Sequence, residues 1–474
     1  MKKHLFINGE WVEGTTYNDL LSPYNGEKIA EVPVATRDEV DHAIMAAHGA
    51  VPMMTALPLH KRAHILERVC QLLEERKEEA AMIIATEAAK PIATAREEVI
   101  RTYQTYKFAA EEAKRIHGEI IPMGAVPNGD GRIAYTLREP IGVIGAITPF
   151  NFPMNLVAHK VGPAIAAGNT VVLKPARQTP LSALFIAKLF EEAGLPKGAL
   201  NVVTGNGNTI GTRIVKDPRV QMVTFTGSPA VGKSIHHLAG LKKVTLELGS
   251  NSGVIIDRDV DISNIITRCV TGAFSYQGQV CISLQRIYVH KEVYDAFVER
   301  FVEETKKLKI GNPLDADVHL SALISTKDVE RSLEWIEEAK SHGAKVVAGG
   351  YAEGNMLYPT VLVDVPSQAK VSCQEAFAPI VLINRVSSIE DAIQCVNDSQ
   401  FGLQAGIYTN NIRTAMNAAN ELKVGGVMIN DIPTYRVDHM PYGGVKESGT
   451  GREGVKYAIE EMTEMKLIVI NNNY

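Results

Sequence analysis

Apolar and polar positions divide this chain into a helical opening and two long stretches in which strand and helix patterns alternate. A short apolar run at Leu5, Phe6 and Ile7 predicts an opening strand, and Thr36-Arg37-Asp38-Glu39 has the form of a capping box. Val40, Ala43, Ile44 and Ala47 then fall on one helical face, and amphipathic helical segments continue to about residue 117. Two strand-like stretches, 119–123 and 132–138, flank the turn-rich Pro127-Asn128-Gly129-Asp130-Gly131 and predict a hairpin projecting from the body. From 141 to 247, β-branched runs at 141–148, 169–174, 200–204 and 222–226 alternate with helical patterns, the signature of βαβ units and a parallel sheet. The alternation returns less cleanly from 248 to 444 and predicts a second α/β domain. A last apolar run, 466–470, has no partner nearby in sequence. Because an unpaired apolar edge invites association, this run is expected to pair with another subunit.

The length of 474 residues suits about three domains. A chain with 45% hydrophobic and 22% charged residues is globular in composition. With 49 Lys+Arg against 54 Asp+Glu, the formal net charge of −5 leaves no basic excess to neutralise nucleic-acid phosphates or to grip an anionic membrane. The uncharged stretch 141–158 raises the question of a membrane span, but Pro149, Asn151, Pro153 and Asn155 crowd its second half. A buried strand running into a loop is expected instead. The five cysteines are scattered and lack metal-ligand spacing, which points to a reduced, cytoplasmic protein without a metal site.

Gly227-Ser228-Pro229-Ala230-Val231-Gly232-Lys233-Ser234 matches the phosphate loop of nucleotide triphosphatases, between a strand pattern and a helical one. On that reading Val254-Ile255-Ile256-Asp257 is a strand ending in a magnesium-binding aspartate. Such loops normally follow the first strand of a domain, whereas several βα units precede this one. On either reading, glycines at a strand-to-helix turn bring backbone N–H groups and the positive helix end close to a phosphate. The loop is expected to meet a nucleotide.

Two further residues carry chemistry. Cys281 ends Phe274-Ser275-Tyr276-Gln277-Gly278-Gln279-Val280-Cys281, where Gly278 permits a tight backbone approach and polar residues surround the thiol. Cys70, Cys269, Cys373 and Cys395 are read as small buried hydrophobes. Glu247 sits inside the apolar Val244-Thr245-Leu246-Glu247-Leu248-Gly249, where an acid is costly unless paired or functional and desolvation raises its pKa.

These segments, in this order, resemble the aldehyde dehydrogenase superfamily almost end to end. The resemblance is carried by Phe6-Ile7-Asn8-Gly9-Glu10-Trp11, Thr148-Pro149-Phe150-Asn151-Phe152-Pro153 and Gly168-Asn169-Thr170-Val171-Val172-Leu173-Lys174-Pro175-Ala176. It continues through Phe225-Thr226-Gly227-Ser228, Leu246-Glu247-Leu248-Gly249, Gly278-Gln279-Val280-Cys281, Glu375-Ala376-Phe377-Ala378-Pro379 and Pro441-Tyr442-Gly443-Gly444-Val445-Lys446. It implies a Rossmann-type cofactor domain (1–117 and 139–247), an α/β catalytic domain (248–446) and a small β oligomerisation element (118–138 and 447–474). By similarity, Cys281 attacks the aldehyde carbon as a thiolate, and Asn151 with the Cys281 N–H holds the oxyanion. Glu247 then activates the water that hydrolyses the thioester.

NAD or NADP is the implied cofactor. The resemblance assigns it Thr148, Pro149 and Phe150, then Lys174, Ala176 and Arg177, with Gly207 beyond the next strand. Thr226, Gly227, Ser228 and Val231 follow at the glycine turn, Leu248 lies beside the base, and Glu375 and Phe377 position the nicotinamide ribose and ring. Arg177 stands where NAD-preferring members often carry a glutamate, and a guanidinium pairs with a 2′-phosphate, so acceptance of NADP is expected.

Arg436-Val437-Asp438-His439-Met440-Pro441 and Arg101, placed near the end of a helix, resemble the subgroup of lactaldehyde, succinate-semialdehyde and non-phosphorylating glyceraldehyde-3-phosphate dehydrogenases. Val280 replaces the arginine of the glyceraldehyde-3-phosphate enzymes, which disfavours a phosphate on the substrate. A small-molecule aldehyde bearing a carboxylate, sulfonate or hydroxyl is expected, of the lactaldehyde, succinate semialdehyde or sulfolactaldehyde type. The rival within the superfamily is a CoA-acylating semialdehyde dehydrogenase, which generally lacks a glutamate at the place of Glu247. A homodimer or homotetramer is expected.

Overall fold

Thr36 caps its helix reciprocally. Its hydroxyl accepts from the Glu39 N–H at 3.2 Å, the Glu39 carboxylate accepts from the Thr36 N–H at 2.6 Å, and helix Arg37–Ala56 follows. In the computed structural model, which describes residues 1–472, helices Leu59–Glu75, Lys77–Ala88 and Ile92–Ala113 complete the helical opening. The sequence pattern does not reveal Tyr17–Leu21 and Lys28–Pro33, which pair as an antiparallel ribbon ahead of these helices.

An eight-stranded sheet forms the first layer. Leu200–Val202, Thr170–Lys174, Val143–Ile147, Val220–Thr226 and Lys243–Glu247 run parallel at its centre. Val143–Ile147 and Thr170–Lys174 are buried along their whole length, as continuous apolar strands are when helices cover both faces of a sheet. Leu5–Ile7 joins one side antiparallel to Leu200–Val202 with Glu10–Val12 as the edge beyond it, and Gly449–Thr450 closes the other side against Lys243–Glu247.

The second sheet has seven strands. Thr360–Val363, Ile380–Val386, Arg286–His290, Gly253–Ile256, Gln404–Tyr408 and Gly426–Ile429 are parallel neighbours, and Lys345–Ala348 is an antiparallel edge. Asp257 therefore ends a strand in a different sheet from the glycine loop, where its carboxylate accepts from the Thr409 hydroxyl at 2.8 Å. Lys233 turns outward to Glu447 at 2.7 Å. The triphosphatase reading needs that aspartate and that lysine at one phosphate site, and the two sheets separate them.

A three-stranded sheet takes Ile120–Ile121, Arg132–Pro140 and Thr463–Asn471. The first two strands form the expected hairpin. The terminal strand, which has no partner nearby in sequence and is expected on that ground to pair with another subunit, pairs within the chain antiparallel to Arg132–Pro140 along its length, from Thr463 opposite Pro140 to Asn471 opposite Arg132. Sequence separation hid this pairing; among the described residues no further strand pairs with the terminal strand on its outer side. Between Gly449–Thr450 and that strand, helix Val455–Glu461 packs on Asn155–Ala167, and positions 473 and 474 of the 447–474 segment lie outside the described residues. The stretch 141–158 becomes strand Val143–Ile147, a loop and the start of helix Asn155–Ala167. Among the described residues no helix is long and apolar enough to cross a membrane.

Candidate active site

Cys281 follows helix Ile266–Phe274 through a turn of unusual backbone conformation. Tyr276, Gln277 and Gly278 have φ of 48°, 53° and 68°, left-handed values that cost roughly 1–2 kcal/mol for each non-glycine residue. Remote contacts hold the strain in place. The Tyr276 hydroxyl donates to the Ala88 carbonyl at 3.2 Å, and the Gln277 amide donates to the carbonyls of Ala89 at 3.1 Å and Ala322 at 2.9 Å. At Gly278 an added Cβ would collide with the Ala378 carbonyl, so the tight approach expected at this glycine is real. The turn ends with Cys281 partly buried and its Sγ 2.9 Å from the Tyr442 hydroxyl. Its enclosed surroundings push the thiol up to about 11, against the Tyr442 hydrogen bond and the Arg436 charge, which favour the thiolate.

Asn151 lies in the loop after Val143–Ile147, and its side-chain N–H donates to the Gln279 carbonyl at 3.0 Å. That bond ties the amide to the turn that carries Cys281. From the other side, Lys90 donates to the Asn151 backbone carbonyl at 2.6 Å; it pairs with Glu98 and sits 3.8 Å and 4.1 Å from the Phe152 and Tyr276 ring centres. Glu247 ends strand Lys243–Glu247, is buried, and has no hydrogen-bond partner on either carboxylate oxygen. Burial, and then the nearby Glu453 carboxylate, hold its pKa well above the usual range. Space for it exists because residue 443 is glycine: a Cβ there would lie 3.0 Å from Glu247 Oε1.

The cofactor residues expected from sequence gather at the carboxyl ends of the first sheet. Thr148 and Thr226 are buried, and their hydroxyls lack partners. Lys174, also buried, donates to the Pro175 carbonyl at 2.8 Å and is pushed down to about 8 by burial and by Arg177. Gly207 stands beside it, where a Cβ would lie 3.9 Å from Lys174 Cε, while Ala176 is partly covered and Arg177 is exposed. Pro149 and Phe150 are half-buried at the mouth of the Asn151 loop.

Gly227 leaves the sheet with its N–H bonded to the Glu247 carbonyl at 3.0 Å. Ser228 then occupies the cap position of helix Pro229–Ala239, with Val231 exposed on its first turn. Gly232 lets Leu248 pack close, since a Cβ there would lie 2.6 Å from Leu248 Cδ2. Glu375 accepts from the Ser250 N–H at 3.0 Å in space that Gly249 leaves open, and burial pushes it up to about 7. Phe377, at φ 48°, meets Phe150 edge to face at 5.7 Å. Orphaned hydroxyls, a buried ammonium and a glycine turn at a helix start suit a dinucleotide.

A tunnel of about 220 Å³ reaches Cys281, lined also by Arg101, Phe152, Val280, Arg436 and Tyr442. Arg101 belongs to the middle of helix Ile92–Ala113, not its end as expected, and binds Asp438 with two nitrogens at 2.7 Å and 3.1 Å. Arg436 pairs with Glu453 at 3.0 Å, stacks 3.6 Å over the Tyr442 ring, and keeps its Nε without a partner.

A model of the aldehyde dehydrogenase family matches residues 11–468. The chain belongs to the aldehyde dehydrogenase family. It is 49% identical to a 3-sulfolactaldehyde dehydrogenase of Priestia aryabhattai, over 98% of each chain, and 42% identical to a lactaldehyde dehydrogenase of Methanococcus aeolicus, over 98% of this chain and all of that one. Its fold superposes on aldehyde dehydrogenase 21 of Physcomitrella patens, solved with the reaction product succinate, with a TM-score of 0.98, 41% identity and coverage of 100% and 98%. A glyceraldehyde-3-phosphate dehydrogenase of Methanocaldococcus jannaschii complexed with NADP matches with a TM-score of 0.93, 41% identity and coverage of 96% and 100%.

Within this family member, sequence reasoning missed Tyr442, Glu453, His159 and Lys160. His159 Nε2 lies 2.8 Å from Asp438, and Lys160 lies 3.1 Å from Glu453, so these buried groups form one network with Arg101 and Arg436. Tyr442 sat inside a motif that marked the family and signalled no role of its own. Of the four cysteines read as buried, Cys70 and Cys269 are buried, whereas Cys373 and Cys395 are partly exposed.

Proposed function

We propose that this enzyme oxidises a short aldehyde carrying a sulfonate, carboxylate or hydroxyl group to the corresponding acid, with Cys281 as the nucleophile. The observation that carries this reading is the tunnel, which Arg101 and Arg436 line together with Cys281. Guanidiniums bind planar or tetrahedral oxyanions through paired N–H donors. The named substrates of the sulfolactaldehyde and lactaldehyde dehydrogenase relatives share this chemistry.

The thiolate of Cys281 adds to the carbonyl carbon, and the oxyanion meets the Cys281 N–H and the Asn151 amide. Bound NAD(P) supplies the two-electron acceptor for that carbon. Thr148, Lys174, Thr226, the Gly227–Ser228 turn and Glu375 would hold it, with Phe377 against the ring. Cys281 is then left as a thioester. Glu247, with no partner to release, takes a proton from the attacking water, and the acid leaves with the thiol restored. That free carboxylate favours hydrolysis over transfer to CoA.

The exposed Arg177 beside Lys174 supports use of NADP. The parallel sheet of the first half is assigned to the cofactor, the second sheet to catalysis, and the three-stranded sheet, with its open edge, to a homodimer or homotetramer. Five free thiols suit a cytoplasmic setting.

The test is a panel of short neutral and anionic aldehydes assayed with each coenzyme, with turnover quenched midway and the protein weighed. An acyl adduct on the peptide containing Cys281, preferential turnover of anionic aldehydes, and complete loss in Cys281→Ala are expected. Unchanged activity in Cys281→Ala would end the reading. In Arg177→Ala, KM for NADP should rise about tenfold or more with KM for NAD nearly unchanged, the cost of losing a charged hydrogen-bond partner.

A further inference from the structure

The Tyr442 hydroxyl lies 2.9 Å from Cys281 Sγ, and among the described residues this is its one hydrogen bond. The residue is buried and fixed on three sides. Its backbone N–H donates to the Glu453 carbonyl at 3.0 Å, its carbonyl accepts from the Glu453 N–H at 2.7 Å, and the Arg436 guanidinium covers its ring at 3.6 Å. A rigid phenol with a single partner, aimed at the sulfur that must ionise, is more than tunnel wall. We propose that Tyr442 is a catalytic residue of this enzyme, whose hydroxyl donates to the Cys281 thiolate and stabilises it as the reacting form. This rests on the assignment of Cys281 as nucleophile.

The surrounding charges explain why such a donor is needed. The enclosure itself disfavours any charge, Arg436 favours the thiolate, and the carboxylates of Glu375 and Glu247 oppose it. Tyr442 keeps its own proton, because burial, and then Cys281, hold the phenol well above its ordinary value. In the ionisation step only the S–H bond breaks. The thiol proton passes to water, and the phenol O–H turns to donate to sulfur, a charge-assisted bond stronger than the neutral one it replaces.

The experiment measures alkylation of Cys281 by iodoacetamide in the full-length protein against pH, read by peptide mass. Tyr442→Phe keeps the ring under Arg436 and removes the donor. Its profile is expected to move to higher pH. Since only the thiolate reacts, alkylation at neutral pH should slow about tenfold for every pH unit by which the profile moves. The kcat/KM profile for aldehyde should move with it and recover at alkaline pH, with KM for the coenzyme unchanged. Site-specific 3-fluorotyrosine at 442, a stronger donor of the same shape, should move the profile the other way, and it tests the proposal if the phenylalanine variant does not fold. A profile unmoved by either replacement overturns the proposal. Because alkylation needs neither aldehyde nor coenzyme, this result is independent of the test of the overall reaction.

Discussion

Glu247 is the residue whose surroundings best suit its proposed task as base: a buried carboxylate with both oxygens unpartnered and a raised affinity for protons. Replacing it with glutamine keeps the shape and removes the base. In Glu247→Gln the first half of the reaction should persist while hydrolysis slows about 10²- to 10⁴-fold, the usual contribution of a positioned general base. Thioester should then accumulate, visible as a mass increase on the Cys281 peptide that outlasts the wild-type signal. The pH dependence has a fixed sign. Both the thiol, pushed up to about 11, and the Glu247 carboxyl act in their deprotonated forms, so turnover should rise toward alkaline pH. A kcat profile falling from neutral to alkaline pH would contradict that assignment. Cys281, Glu247 and Asn151 could be singled out as candidates in the sequence because each sits in a short contiguous motif. Tyr442 was equally visible as a letter, but its contact with the sulfur spans 161 positions and no local pattern announces it.

At the scale of elements, the turn Ser275–Gly278 decides where the Cys281 thiol points. Gly278→Ala adds a methyl group against the Ala378 carbonyl at a backbone position with φ of 68°. The turn must open, and the expected outcome is a stability loss of about 1–3 kcal/mol together with at least a tenfold drop in kcat/KM. Denaturant unfolding and steady-state kinetics check the two parts separately. The glycine was readable as a site of close approach; the left-handed Tyr276 and Gln277 were not. Nothing in those side chains favours that conformation, which is imposed by bonds to carbonyls at 88, 89 and 322. The capping box at Thr36 is the opposite case, since every group it uses lies within four residues.

Across the whole molecule, Arg101, His159, Lys160, Arg436, Asp438 and Glu453 join helices Ile92–Ala113 and Asn155–Ala167 to the chain after the second sheet. Burial alone would push Glu453 up, but Lys160 foremost, with His159 and Arg436, holds it down to about 2. Its stabilising contribution is therefore present above the unfolded carboxylate value, about 4.3, and is lost as pH falls from there toward 2. Equilibrium denaturation at decreasing pH should show stability falling through that window. Glu453→Gln should flatten this acid limb and lose about 3–5 kcal/mol at neutral pH by leaving Arg436 and Lys160 uncompensated. An acid limb as steep as the wild type's would mean that Glu453 is not the group responsible. The sequence by itself determined the helical opening, the parallel strands of the first half and the motifs that hold Cys281, Glu247 and Asn151, because periodicity and motif composition are encoded within a few turns or strands. Only the tertiary structure decided that the terminal strand pairs with Arg132–Pro140, that Arg101 and Arg436 flank one tunnel, and that Tyr442 meets Cys281. Those contacts join residues far apart along the chain, and their free energy exists only once the sheets have closed around them.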